Sequence, residues 1–306
     1  MNNAQTYPWP ATKTSAVIIA VLFDDGVDAI AIAPDLPTRS KSYSVWQYGA
    51  RRGVDRIRQT LRAHQTAATW FVPGSVAQTH PDTVRALAAE GHELASHGMR
   101  GERYDAIGST ASAAMLAESR QILAALSGQA VSGFRMPQGR WPRHFERDIA
   151  AAGYRYSATL NGDDVPYSHA NELVEIPVHT ELDDRPAFQF NFTPAFPPGH
   201  SRLPDYDGVF SNWLWEFDAY RQYGSCCVLQ IHPEWLGTPG RIGMLDAFLT
   251  AVRRHDDVWL TTAGAVADWH RRLERRVEDT HPIAVYDAYR SARGLPCCTP
   301  SNTSLH

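Results

Sequence analysis

Ala16-Val17-Ile18-Ile19-Ala20-Val21-Leu22-Phe23 runs without a break into Asp24-Asp25-Gly26. The apolar run is far short of the roughly 20 residues a membrane span needs, and it lacks the polar alternation of a half-exposed strand. It reads as a parallel strand buried on both faces. Its end is abrupt, with two acids where packing has no use for charge. Neighbouring side chains of a strand point to opposite sides, so the two acids face different partners. One is placed to act as a base on water, the other to meet a cation or a hydrogen-bond donor.

The same pattern recurs along the chain. Further strands are predicted at Ala68–Val72, Glu93–Ser96, Val131–Arg135, Tyr156–Ala158, Leu173–Val178, Cys226–Ile231 and Val258–Thr261. Helical spacing is read over Gly53–His64, Pro81–Ala89, Ala111–Leu126, Arg143–Ala152, Val209–Tyr223, Arg241–Arg254 and Ala263–Arg276. Alternating strands and helices imply a parallel sheet, and this number of strands closes most simply into a distorted (β/α)7-8 barrel of the α/β class. Active residues of such barrels project from the carboxyl ends of strands. Those ends carry Asp24–Asp25, Ser96–His97, Arg135 and His232. Each of these groups, taken alone, also fits a structural role.

Two segments interrupt the alternation: 26–52, read as a long insertion, and Leu182–Asp207, rich in Pro, Phe and Asp. Both are expected on the mouth side of the barrel, where long loops serve function. Residues 1–276 are read as one barrel domain, and 277–306 as an added helix, Ile283–Ala292, and a polar tail. Composition is that of a globular protein: 306 residues, 43% hydrophobic, formal charge −4. That charge gives no reason to expect nucleic acid or an anionic membrane as a partner. Cys226–Cys227 and Cys297–Cys298 have no zinc-type spacing and are read as reduced thiols of a cytoplasmic protein. No signal peptide is read at the start.

The order of the motifs carries more than any one of them. Phe23-Asp24-Asp25-Gly26, Gly91-His92-Glu93 to His97-Gly98, Arg135-Met136-Pro137-Gln138-Gly139 and Leu229-Gln230-Ile231-His232-Pro233 together resemble the polysaccharide-deacetylase superfamily, carbohydrate esterase family 4, over about Ala16 to His270. Asp163-Asp164-Val165-Pro166-Tyr167, Glu175-Ile176-Pro177 and Leu182-Asp183-Asp184 resemble its branch of cyclic imidases, metal-free allantoinases and peptidoglycan deacetylase homologues. The resemblance implies a hydrolase of a non-peptide carbon–nitrogen bond, and a homo-oligomer, dimer or tetramer. It implies Asp24 as the base, His232 as the general acid, Asp25 and His97 as metal ligands, and Arg135 as the residue that orients a carboxylate or binds an anionic group. Asp164, Tyr167 and Arg100 are the expected substrate contacts.

The chain departs from that pattern at Gly101, where the family has a second metal histidine. Glu102 is the nearest substitute ligand. A catalytic zinc prefers three protein ligands. Zinc or another divalent metal therefore stays open as a cofactor, with metal-free catalysis favoured. The metal-free allantoinases share the missing histidine and carry the equivalents of Arg100 and Tyr104. Without a metal, a strained cyclic imide or ureide suits the site better than an unactivated acetamide. The long Leu182–Asp207 segment and the lack of a readable export signal favour a small soluble substrate. The alternatives are a degenerate, non-catalytic binding protein on the same barrel and a carbohydrate N-deacetylase.

Overall fold

The computed structural model describes residues 7–189 and 204–273. Nine strands form one curled sheet: β1 (Ser15–Leu22), β2 (Thr69–Val72), β3 (Glu93–Ser96), β4 (Gly133–Phe134), β5 (Tyr156–Ser157), β6 (Tyr167–Ser168), β7 (Val174–Glu175), β8 (Cys226–Ile231) and β9 (Val258–Thr261). The order is β6-β7-β5-β4-β3-β2-β1-β8, with β9 also on β1, and every pairing is parallel except β6 with β7. The expected α/β barrel is thus present in distorted, incompletely closed form. The outer edge of β8 meets the chain beyond β7 at a single bridge, Asp183 to Gln230, reinforced by Gln230 Nε2 donating to the His179 carbonyl (2.8 Å).

β1 is buried along its whole length and bonded on both edges, to β8 on one side and to β9 and β2 on the other. Its side chains alternate between two cores. Val17, Ile19, Val21 and Phe23 belong to the core under the helices, whereas Ala16, Ile18 and Ala20 face the inner core shared with Phe71, Ala95, Tyr156, Val174 and Val228. Both faces are apolar, which explains an unbroken hydrophobic run where a one-sided strand would alternate.

The helices are α1 (Val27–Ile32), α2 (Ser40–Tyr48), α3 (Val54–Ala63), α4 (Gly74–Thr79), α5 (Pro81–Ala89), α6 (Ser109–Ser127), α7 (Phe145–Ala151), α8 (Asp184–Phe188), α9 (Tyr206–Tyr223), α10 (Ile242–Val252) and α11 (Ala263–Arg272). No described helix is long and apolar enough to cross a membrane. Three sequence expectations need correction. The insertion at 26–52 is largely helical, made of α1, α2 and a π-turn at Gly49–Gly53 that leads into α3. Helices of six to nine residues leave too little periodicity to be seen. β6 is a two-residue antiparallel strand and lacks any run to announce it. The long Leu182–Asp207 segment opens with α8, and its residues 190–203, like Ile283–Ala292 and Cys297–Cys298, lie outside the described residues. Cys226 and Cys227 are free, buried thiols of β8, and burial pushes Cys226 up to about 12.

The π-turn packs against the exit of β8. A Cβ on Gly53 would lie 2.0 Å from the Pro233 carbonyl oxygen, an unyielding backbone atom. Gly53→Ala is therefore expected to cost about 3 kcal/mol of stability, the upper end for overpacking. Urea unfolding checks this, and a loss below about 0.5 kcal/mol, the size of a neutral surface change, would contradict it.

Candidate active site

The alternation of β1 continues past its end. Asp24 falls on the inner parity with Ala20 and Leu22, and Asp25 on the outer parity with Phe23. The same count puts His97 beyond Ala95, Arg135 beyond Gly133, and His232 beyond Val228 and Gln230, all on the inner side at carboxyl ends. The coordinates agree with this counting. Asp24 is 2% and His232 0% exposed, and one nitrogen joins them: Arg185 Nη2 lies 2.8 Å from His232 Nε2 and 3.7 Å from Asp24 Oδ2.

Asp24 accepts the Gly26 amide at Oδ1 (2.9 Å). Its carboxyl is raised to about 6, first by burial and then by the charge of Asp28, with Arg185 pulling the other way. Near neutral pH it is ionised and more basic than an ordinary aspartate, the state a general base requires. His232 is gripped twice by Asp184. Nδ1 sits 2.6 Å from Oδ1, and the His232 amide donates to Oδ2 (2.9 Å). Burial, and then Arg185 and Arg135, hold the imidazole well below its ordinary range. A guanidinium can only donate, so Nε2 at rest is a lone pair accepting from Arg185. His232 as a ready proton donor, the role implied by resemblance, does not match this resting arrangement. Arg185 has to leave Nε2 before His232 can carry a proton there.

Other expected residues are placed differently. Asp25 turns its carboxylate to His80 Nε2 (2.7 Å) and adopts φ +47°, uncommon for a residue with a side chain. His97 donates from Nδ1 to the Arg135 carbonyl (3.1 Å), and its Nε2 faces Asp28 Oδ2 at 3.4 Å. Glu102 accepts from the Met99 and Arg100 amides and from the Tyr104 hydroxyl. It anchors its own loop and has little left to offer a metal. The Arg135 guanidinium donates to the Ala158 carbonyl (2.9 Å). Burial lowers it to about 10, with the charges of Asp183 and Glu175 pulling the other way. The Asp164 carbonyl accepts from the Cys226 amide at the start of β8 (2.8 Å), the end opposite His232. Tyr167 donates to the Asn161 carbonyl (3.0 Å), and Arg100 is exposed. Among the described residues no hydrogen bond or ion pair joins Asp164 or Tyr167 to Asp24 or His232, and Tyr167 lies on β6 at the far edge of the sheet.

The metal set implied by resemblance does not fit these residues. Asp25 is committed to His80. At Gly101 (φ +74°) a Cβ would lie 2.7 Å from the Val27 carbonyl and 2.9 Å from Asp28 Cα, so α1 occupies the space of the missing histidine. Asp28 Oδ1 and Oδ2 and His97 Nε2 are buried with no hydrogen-bond partner, a pair where three protein ligands would be wanted. Among the described residues, Asp183, Asp184 and His232 alone bring three such donor atoms within 4.8 Å of one another. A cation could be held there only at the expense of the Asp184–His232 contacts just described.

Asp28, Asp184 and Arg185 belong to the site without being marked in the sequence by a strand end. The signal for Asp28 is Gly101 itself, since a lost side chain in a packed site needs a filler. Asp183-Asp184-Arg185-Pro186 has the local composition of a turn.

The chain's residues 11–157 match the polysaccharide deacetylase family. A solved Mycobacterium smegmatis structure described as a polysaccharide deacetylase is 30% identical, with a TM-score of 0.83 over 91% of this chain and 98% of that one. A solved allantoinase is 24% identical, with a TM-score of 0.75 over 88% and 95%, a likeness of fold. The peptidoglycan deacetylase of Helicobacter pylori is 23% identical over 73% of this chain and 86% of its own length. The chain belongs to the polysaccharide deacetylase family. It is a hydrolase of carbon–nitrogen bonds other than peptide bonds.

If Glu102 is a loop anchor, Glu102→Ala strands three donors and is expected to cost about 3 kcal/mol, read by denaturant unfolding. Unchanged stability together with loss of a bound metal would instead make Glu102 a ligand.

Proposed function

We propose that the chain hydrolyses a cyclic imide or ureide of a small molecule, with Asp24 as the base and His232 as the group through which the leaving nitrogen is protonated. The observation that carries this reading is the approach of Asp24 Oδ2 and His232 Nε2 to the same nitrogen of Arg185. A carboxylate with raised basicity and an imidazole oriented by its own aspartate, on either side of one small space, are the parts a hydrolysis needs.

In this reading water is held against Asp24, which takes its proton as the water oxygen bonds to the carbonyl carbon. The carbon–nitrogen bond then breaks. The proton that left the water is the one the nitrogen gains, relayed through Nε2 of His232 once Arg185 has withdrawn. Asp184 fixes the ring throughout. No step passes through a metal, because the ligand set does not fit one.

The substrate class follows from energetics and access. Without a Lewis acid to polarise the carbonyl, an activated acyl group is the easier target, and a strained imide or ureide ring supplies it. The deep burial of Asp24 and His232 supports a small substrate over a polymer laid across a surface groove. A cytoplasmic setting goes with such a substrate.

Two outcomes are expected. Asp24→Asn should lower turnover of a hydrolysed imide or ureide by on the order of 10²–10⁴-fold, with the melting temperature kept, while retained turnover would remove Asp24 from the chemistry. In the wild type, kcat/KM should fall as pH drops below about 6, because the raised Asp24 carboxyl is then protonated and can no longer accept. A profile flat to pH 4.5 would contradict that assignment. Turnover of N-acetylated sugars, with imides and ureides inert, would move the chain to the carbohydrate-acting side of its family.

A further inference from the structure

Attack on a carbonyl puts negative charge on its oxygen, and a hydrolase needs hydrogen-bond donors or a cation aimed at that oxygen. The ligand set that would carry a metal for this purpose is broken at Asp25 and Gly101. Three cationic or potentially cationic side chains remain around Asp24 and His232. Arg135 donates from Nη1 to the Ala158 carbonyl, and no hydrogen bond or ion pair joins it to Asp24 or His232 among the described residues. His97 is 1% exposed, with Nδ1 on the Arg135 carbonyl and Nε2 against Asp28. Arg185 is different. Its side chain is 35% exposed, whereas Asp24, His97 and His232 are buried. Nη2 alone is engaged, by His232 and Asp24. Nε and Nη1 have no hydrogen-bond partner among the described residues.

The backbone beneath Arg185 is pinned, and the side chain is held through Nη2 alone. Its amide donates to Asp183 Oδ1 (2.8 Å), and Asp183 is bridged to Gln230 of β8. A change in the guanidinium's position would therefore come from its own side-chain torsions, about a backbone held beside His232. At rest Nη2 fills the space between the base and the imidazole, which is the space a scissile carbon–nitrogen bond must enter for both to act on it. Substrate and guanidinium cannot share it, so Arg185 must shift on binding.

We propose that Arg185 is a catalytic residue: on substrate entry its guanidinium leaves His232 Nε2 and donates to the acyl oxygen, supplying the positive pole where relatives of this fold would rely on a metal. This rests on the reading that Asp24 and His232 form the hydrolytic site. In the step itself the water oxygen bonds to the acyl carbon, the carbonyl π pair moves onto the oxygen held by Arg185, and the water proton passes to Asp24. On collapse that pair re-forms the carbonyl, the carbon–nitrogen bond breaks, and the proton reaches the nitrogen through the Nε2 that Arg185 has vacated. Departure of Arg185 thus does two things at once, stabilising the oxyanion and opening the proton route.

The test uses the full chain and whichever imide, ureide or N-acetyl compound the wild type turns over. Arg185→Gln should lower kcat on the order of 10²–10³-fold, the size of a lost oxyanion donor, with KM changed far less. Arg185→Lys should keep part of the rate. In Arg185→Ala, added guanidinium ion should restore rate in a saturable way that equal concentrations of sodium chloride do not. A structural role would not show this rescue. Melting temperatures of the three variants separate misfolding from chemistry. The proposal is overturned if folded Arg185→Gln keeps kcat within about threefold of wild type, or if folded Arg185→Ala is inactive and unresponsive to guanidinium while Arg185→Lys is equally dead. Loss of activity in Asp24→Asn with a near-normal Arg185→Gln removes Arg185 alone, whereas an active Asp24→Asn removes the underlying reading.

Discussion

The register of β1 is the constraint on which the site depends. Val21 pairs with Ile231 of β8 on one side and Trp70 of β2 on the other, so three strand ends are fixed relative to one another before any polar group is considered. Alternation then does the rest. The inner parity of β1 ends in Asp24 and that of β8 ends in His232, and the curl of the sheet points both into the same small volume. A one-residue slip of either strand would send the inner set outward, replacing Asp24 by Phe23 or His232 by Ile231. The apolar cores on both faces oppose such a slip.

Around that frame the charges are arranged in pairs. Asp184 grips His232, Arg185 bridges His232 to Asp24, and Asp28 faces His97. Buried charge is costly unless matched, and each of these pairs joins groups whose backbones come from different segments. The bridge from Asp183 to Gln230 therefore matters beyond closing the barrel, because it brings Asp184 and Arg185 to the end of β8. The outer-parity acid, Asp25, is absorbed by His80, which leaves Asp24 alone to face inward.

Much of this was legible in the sequence. The strand ends at Asp24, His97, Arg135 and His232 were found by apolar runs that stop at polar residues, and the barrel followed from their alternation with helices. Parity was not legible, because a strand buried on both faces has no polar side to count from, and nothing in the sequence itself says which of Asp24 and Asp25 turns inward. Long-range partners were hidden for a different reason. Asp184 reaches His232 through a bridge between segments some fifty residues apart, and nothing local to Asp183-Asp184-Arg185 separates such a contact from a turn. The filling of Gly101's space by α1 was likewise invisible, since six helical residues after Gly26 are too few to show a period.

The account stands on a single space shared by Asp24, His232 and, at rest, Arg185. The most direct measurement is a crystal structure of the protein with a non-hydrolysable cyclic imide or ureide bound. The expected result is a ligand whose acyl group lies between Asp24 Oδ2 and His232 Nε2, with Arg185 turned off the imidazole and onto the acyl oxygen. A ligand seated elsewhere, with the contact between Arg185 and His232 intact, would contradict it.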